Sequence, residues 1–210
     1  MQRKTVRAIE AHAIAEYPRE CCGLVVLAGR AEQYIACENR APEGAKGDVF
    51  EIGDQDMADA ARIGRIVAIV HSHPDYPAKP SEADRVGCEE TETPWVIVSV
   101  RKGEDGEVRT DGLERIEPEG YQAPLLQREF YHGTLDCYAI VRDWYARVRG
   151  IELPNFRRDD RWWEGEQELY LDNFGAAGFV ALADGAALEP GDVILMQHHS
   201  KRVNHAGVYL

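Results

Sequence analysis

No run of about 18 apolar residues occurs in this chain, so no segment is long and apolar enough for a transmembrane helix. The opening Met1-Gln2-Arg3-Lys4-Thr5 has no apolar core behind its basic residues, and a cleaved secretory signal is not expected. Basic residues are outnumbered: 24 Lys and Arg stand against 37 Asp and Glu, a formal net charge of −13. That balance argues against electrostatic binding of nucleic acid or of an anionic lipid surface. Cysteine is sparse and odd in number, at five. Cys21 and Cys22 are adjacent in an apparent strand, where they face opposite sides and are not expected to bond to each other. Cys37 and Cys88 read as small buried residues, which leaves Cys137 to be explained. A reducing compartment fits this usage. No internal repeat is visible.

What is present is ordinary in bulk. The 210 residues, 44% hydrophobic and 29% charged, suffice for two small domains, each with a modest core. Residues 5–17 read as an Ala-rich helix, 23–28 and 33–38 as strands, 42–47 as a loop, and Phe50-Glu51-Ile52 as a short strand. A helix is expected over 54–64 with Gly64 at its end, then a strand running into two histidines, a helix from Ser81, and a buried strand over Trp95–Val100. Gly103–Gly106 reads as a hairpin turn into 107–109. The Pro- and Gly-rich, aperiodic stretch 117–124 predicts a linker between a first domain, 1–116, and a second, 125–210.

The strongest chemistry in the first domain is His71-Ser72-His73-Pro74 followed by Pro80-Ser81-Glu82-Ala83-Asp84. The preceding Ile66-Val67-Ala68-Ile69-Val70 is apolar and mostly β-branched, so it reads as a buried strand ending in the histidines. Strand side chains alternate faces, which points His71 and His73 the same way, as two ligands of one ion must point. Asp84 would return from the start of the following helix as an oxygen ligand. Three protein ligands and an open position describe a catalytic zinc rather than a structural one. Ser81-Glu82-Ala83-Asp84 also fits a helix cap close to a capping box, and the two roles are compatible. A hydrolytic site needs a general base, for which Glu20, at the mouth of the Gly23–Ala28 strand, is the candidate.

Glu20, the HSHP run, Ser81 and Asp84 at this spacing resemble the JAMM (MPN-domain) metalloproteases, and Pro-Arg-Glu-Cys-Cys-Gly is similar to the bacterial and phage version. The resemblance covers about residues 1–115. It implies a mixed sheet flanked by helices, one Zn2+ held by His71, His73 and Asp84, Glu20 activating the water, and Ser81 helping to hold the oxyanion.

Beyond the predicted linker, Asp136-Cys137 begins a stretch in which Cys137, Ile140, Val141, Trp144, Tyr145 and Val148 share one face of an amphipathic helix. Asp136 is a good N-cap, which puts Cys137 in the first turn, where the helix dipole favours thiolate. Cysteine on an apolar helix face is also ordinary core filler. His205, opening an apparent strand over 205–210, is the first choice of base, with His198 and His199 as alternatives in the preceding loop.

Tyr131 and Gly133 ahead of Asp136-Cys137, then Pro190-Gly191-Asp192, then His205-Ala206-Gly207-Val208-Tyr209 resemble the NlpC-type cell-wall peptidases. That resemblance implies a papain-like α+β domain, Cys137 as nucleophile, His205 as base, Tyr131 near the oxyanion, and peptidoglycan stem peptides as substrate, cut at a γ-glutamyl linkage. The family's third residue, which orients the histidine, follows about a dozen residues later. Because the chain stops at Leu210, a truncated C-terminus is expected. A JAMM domain followed by an NlpC-type domain is similar to the tail-assembly proteins of long-tailed bacteriophages, as is Trp162–Tyr170 with Phe174–Phe179. This implies tail-tip proteins as partners, and a location in the host cytoplasm during assembly and then in the virion tail tip. The expectation is an α/β hydrolase with a zinc peptidase or isopeptidase and a cysteine endopeptidase. The alternative is a non-enzymatic tail-assembly module with a retained zinc site.

Overall fold

The computed structural model describes residues 1–41, 49–159 and 161–210. The loop expected at 42–47 therefore lies outside the described residues. The chain divides into two compact units, Met1–Gln122 and Ala123–Leu210.

The first unit is a five-stranded mixed sheet between helices. Helix α1 (Arg3–Glu16) leads into the hairpin β1 (Cys22–Ala28) and β2 (Ala31–Cys37). Helix α2 (Asp54–Ile63), β3 (Arg65–Pro74), α3 (Glu82–Glu90), β4 (Trp95–Lys102) and β5 (Val108–Ile116) follow. The strand order is β2-β1-β3-β4-β5. Only β3 and β4 run parallel, joined across α3 as a parallel pair requires, and the other neighbours are antiparallel. Alternation along β1 shows why the sheet needs cover on both faces. Cys21 and Val25 join Ile9 and Ala13 of α1 in one apolar cluster, whereas Cys22, Leu24 and Val26 join Ala60 of α2 and Cys88 of α3 in the other. The adjacent cysteines thus lie on opposite faces, and all five cysteines are free. Gly23 belongs to the close packing of β1 on β2: a Cβ there would stand 2.5 Å from the Ile35 carbonyl oxygen.

Two expectations change here. Phe50-Glu51-Ile52 is not a strand; Glu51 bonds the residues just past the end of β2, its carbonyl accepting from the Arg40 N–H and its N–H meeting the Asn39 side chain. The stretch after β5 is also not free along its whole length. Glu89 of α3 accepts the N–H groups of Glu119 and Tyr121, and Arg85 sits over the Tyr121 ring.

The second unit consists of α4 (Cys137–Trp144), α5 (Leu169–Asn173) and a two-stranded antiparallel sheet, β6 (Val193–Met196) with β7 (His205–Val208). Tyr138 and Val141 of α4 pack on Ala206 of β7 and on Leu153. The predicted helical face runs only part of its length. A π turn over Tyr145–Arg149 follows α4, and its wider winding takes Val148 off the apolar face, leaving it 54% exposed. The Trp162–Tyr170 segment is a short 3-10 turn over Trp162–Glu164 followed by the start of α5.

Candidate functional site

The first site lies where the carboxyl end of β3 meets the start of α3, a position at which parallel-strand crossovers leave a crevice. Alternation puts Ile69, His71 and His73 on the α2/α3 face. Cys22 is paired with His71, so Glu20, two residues earlier, lies on that face as well. The ladder continues past the formal end of β1 through Ser72 N–H to the Cys21 carbonyl at 3.1 Å. Ser72, pointing the other way, accepts the Cys21 N–H at 2.8 Å.

His71, His73, Asp84 and Glu20 are all buried. The two histidine Nε2 atoms stand 3.1 Å apart. His71 Nε2 is 3.0 Å from Asp84 Oδ1, and His73 Nε2 is 3.4 Å from Asp84 Oδ2. Ligand atoms bound tetrahedrally at about 2.0–2.1 Å from one zinc would stand about 3.3 Å apart, so these separations fit three donors sharing one small ion. His73 Nδ1 lies 2.9 Å from the Pro77 carbonyl, to which it donates, leaving Nε2 as the electron-pair donor. Glu20 completes the cluster: one of its carboxylate oxygens and one nitrogen from each of His71 and His73 all lie within 4.8 Å of one another. Burial alone would push the Asp84 carboxyl up, but the His71 and His73 imidazoles against it outweigh this and hold the group well below the usual carboxylate range.

Ser81 is the helix cap that its spacing announced. It caps α3 through a full capping box, accepting the Asp84 N–H at 3.1 Å while Asp84 Oδ2 accepts the Ser81 N–H at 2.6 Å. Its hydroxyl donates to the same Oδ2 at 2.8 Å, which fixes the carboxylate orientation.

Several supporting residues escaped the reading of the sequence. Phe50 stacks on His71 with centroids 4.7 Å apart, and Trp95 meets the same imidazole edge-on at 5.3 Å. Asn39 is a buried hub: its amide donates to the carbonyls of Glu20 and Val49, and its oxygen accepts from the N–H groups of Ala41 and Glu51. Arg19 adds hydrogen bonds to the Asn39 and Ala41 carbonyls. The backbone that presents Glu20 is thus tied to the loop after β2. An isolated asparagine past a strand end carries no periodic signal that could have announced this.

In the second unit Asp136 caps α4, its Oδ1 accepting the Ala139 N–H at 2.9 Å, and Cys137 occupies the first turn. Cys137 Sγ lies 3.0 Å from the Tyr170 hydroxyl and 3.9 Å from the Asn204 carbonyl. Burial pushes the Tyr170 phenol far above the ordinary tyrosine range, and the neighbouring thiol adds to this, so the hydroxyl stays protonated. No hydrogen bond joins Cys137 to His205 among the described residues. Ala206 is the β7 side chain packed on α4, so the adjacent His205 is exposed, its ring 5.9 Å from that of His198. The Tyr131 hydroxyl donates to Glu129 Oε2 at 3.2 Å. Tyr170, 33 positions beyond Cys137, is the phenol at the thiol, and only the aromatic run around it hinted at a role.

Residues 2–111 match the family of prokaryotic homologs of the JAB domain, and residues 126–210 match the NlpC/P60 family. Tail tip assembly protein K of Escherichia phage N15 is 42% identical over 212 residues, covering 100% of this chain and 82% of that protein. Tail tip assembly protein K of Escherichia phage lambda is 41% identical over 155 residues, 74% of this chain and 70% of that one.

Proposed function

The chain belongs to the tail tip assembly protein K family, and we propose that it serves at a phage tail tip as a hydrolase with two separate sites. The first unit is read as a zinc-dependent peptidase or isopeptidase. The second is read as an endopeptidase cutting the peptide stems of peptidoglycan, with tail-tip proteins as its partners. The observation that carries the hydrolytic reading is the convergence of Glu20, His71 and His73, with Asp84 against both imidazoles. A structural zinc site closes with four protein ligands and needs no further carboxylate. With His71, His73 and Asp84 read as the ligands, Glu20 is an additional acid beside them.

A zinc ion held by His71, His73 and Asp84 would supply Lewis acidity, making a water acidic and polarising a carbonyl. Glu20 takes the proton from the attacking water and returns it to the departing amine. Ser81 and the Pro77 carbonyl keep Asp84 and His73 aimed at one point. In the second unit the Cys137 thiol gives its proton to an imidazole and attacks the carbonyl. The amine then leaves protonated and an acyl-enzyme remains for water to hydrolyse. His205 is the proposed base. The thiol's bonds to Tyr170 and Asn204, with none to His205, favour a second reading in which this unit is a structural tail-assembly module.

Muropeptide release from purified sacculi separates these readings, comparing the chain with Cys137→Ala and His71→Ala. Loss of release in Cys137→Ala alone is the expected result. No release by the folded chain would retire the wall-peptidase reading. Zinc content retained in Glu20→Gln and lost in His71→Ala is the matching expectation for the first unit. Glu20→Gln that binds no zinc would make Glu20 a ligand rather than the base.

A further inference from the structure

Asp136, just ahead of the nucleophile, forms a buried ion pair with Arg158 that the reaction itself does not use. Arg158 and Asp136 are each nine-tenths or more buried. Arg158 Nε donates to Asp136 Oδ2 at 2.6 Å and Nη2 to Oδ1 at 3.3 Å. The remaining guanidinium donors are also committed. Nη2 reaches the Gly133 carbonyl at 2.9 Å, Nη1 reaches Asn155 Oδ1 at 3.1 Å and the Phe156 carbonyl at 2.5 Å, and the group lies 5.1 Å from the Tyr138 ring centroid. Asp136 in turn accepts the Gly133 and Ala139 N–H groups. With its donors spoken for inside the fold, Arg158 is not placed to bind a substrate carboxylate.

Its effect falls on Cys137. Asp136 is the residue before the nucleophile, and an uncompensated buried carboxylate there would oppose formation of a neighbouring thiolate. Arg158 cancels that charge while locking the turn around Gly133, whose φ of +79° suits glycine, onto the first turn of α4. We propose that Arg158 is a positioning residue for the Cys137 nucleophile: by neutralising the capping Asp136 it holds the first turn of α4 in place and keeps a buried carboxylate from opposing the thiolate. The inference rests on Cys137 being the nucleophile of the second unit. The groups around the sulfur are the Tyr170 hydroxyl from α5, the Asn204 carbonyl ahead of β7 with His205 next in the chain, and Asp136 itself.

The test is the pH profile of Cys137 alkylation by iodoacetamide in the full chain, followed by peptide mass spectrometry, which needs no peptidase activity. In Arg158→Met the profile moves to higher pH, with alkylation at pH 7 slower by about ten-fold, as an unopposed charge at this range predicts. Arg158→Lys and the double variant Asp136→Asn/Arg158→Met return it towards the original. Asp136→Asn alone, with Arg158 left unopposed, moves it to lower pH, so the idea can be tested even if Arg158→Met does not fold. An unmoved profile in folded Arg158→Met or Asp136→Asn, or an equal shift in Arg158→Met and in the double variant, would overturn it. Shifts as expected in a chain that releases no muropeptides would leave the clamp standing and remove the peptidase reading alone.

Discussion

Replacing Asn39 with alanine should loosen the first site from behind, without touching any candidate ligand. Asn39 makes four hydrogen bonds to backbone groups. Their loss is unequal. Val49 is 42% exposed and Glu51 half-buried, so water can replace the lost partner there. Glu20 and Ala41 are 4% and 6% exposed, so the Glu20 carbonyl and the Ala41 N–H lose a partner that solvent cannot supply. At about 1–3 kcal/mol for each buried group left unsatisfied, the two together come to about 2–6 kcal/mol. The damage should be local to the start of β1 and the loop after β2. Hydrogen exchange read peptide by peptide reports such local opening even in a chain of two units, where one global unfolding energy is not well defined. Amides at the start of β1 and along β3 are expected to exchange about 100-fold faster, since each 1.4 kcal/mol is ten-fold. Asn39→Asp is the sharper control. It keeps the acceptor for Ala41 and Glu51 but turns a carboxylate oxygen towards the Glu20 and Val49 carbonyls, so it should be at least as damaging. A change below ten-fold in both variants, or an equal change in peptides of the second unit, would refute the hub.

Three further outcomes are expected. Ser81→Ala removes the cap of α3 at about 1 kcal/mol, seen as faster exchange confined to residues 82–90, and weakens zinc binding by about 10–100-fold through the freed Asp84 carboxylate; zinc affinity equal to that of the unaltered chain would contradict the geometry at Oδ2. Burial pushes the thiols of Cys21, Cys37 and Cys88 up to about 11 and that of Cys22 up to about 12. Iodoacetamide at pH 8 should therefore label only Cys137 in the native chain, and all five cysteines in denaturant. Asp84, held below its usual range, contributes stability that is present above about pH 4, the unfolded carboxylate value, and is lost as pH falls through the lower folded value. In metal-free protein, Asp84→Asn should flatten the acid limb of the stability profile below pH 4, and an unchanged limb would count against this account.

Much of the first unit could be read along the chain because its signals are local. A period of two in Ile66–His73 put both histidines on one face, and the Ser81–Asp84 spacing announced the capping box that holds the carboxylate. Asp136 at the head of α4 was legible for the same reason. The second unit was read less well. Helical periodicity carried the apolar face through to Val148, but the π turn after Trp144 intervened. The pairing of Cys137 with Tyr170 depends on how α5 packs, which no spacing encodes.

By its order of residues alone, then, the chain determined which side chains share a strand face or a helix turn, because backbone geometry repeats every 2 or about 3.6 residues whatever lies elsewhere. Only the tertiary structure decided which of these small sets meet. The β1–β3 register brought Glu20 to His71 and His73, the crossover through α3 returned Asp84 to both, and packing buried Arg158 against Asp136. Such meetings are settled by strand register and core packing, which depend on all the elements at once.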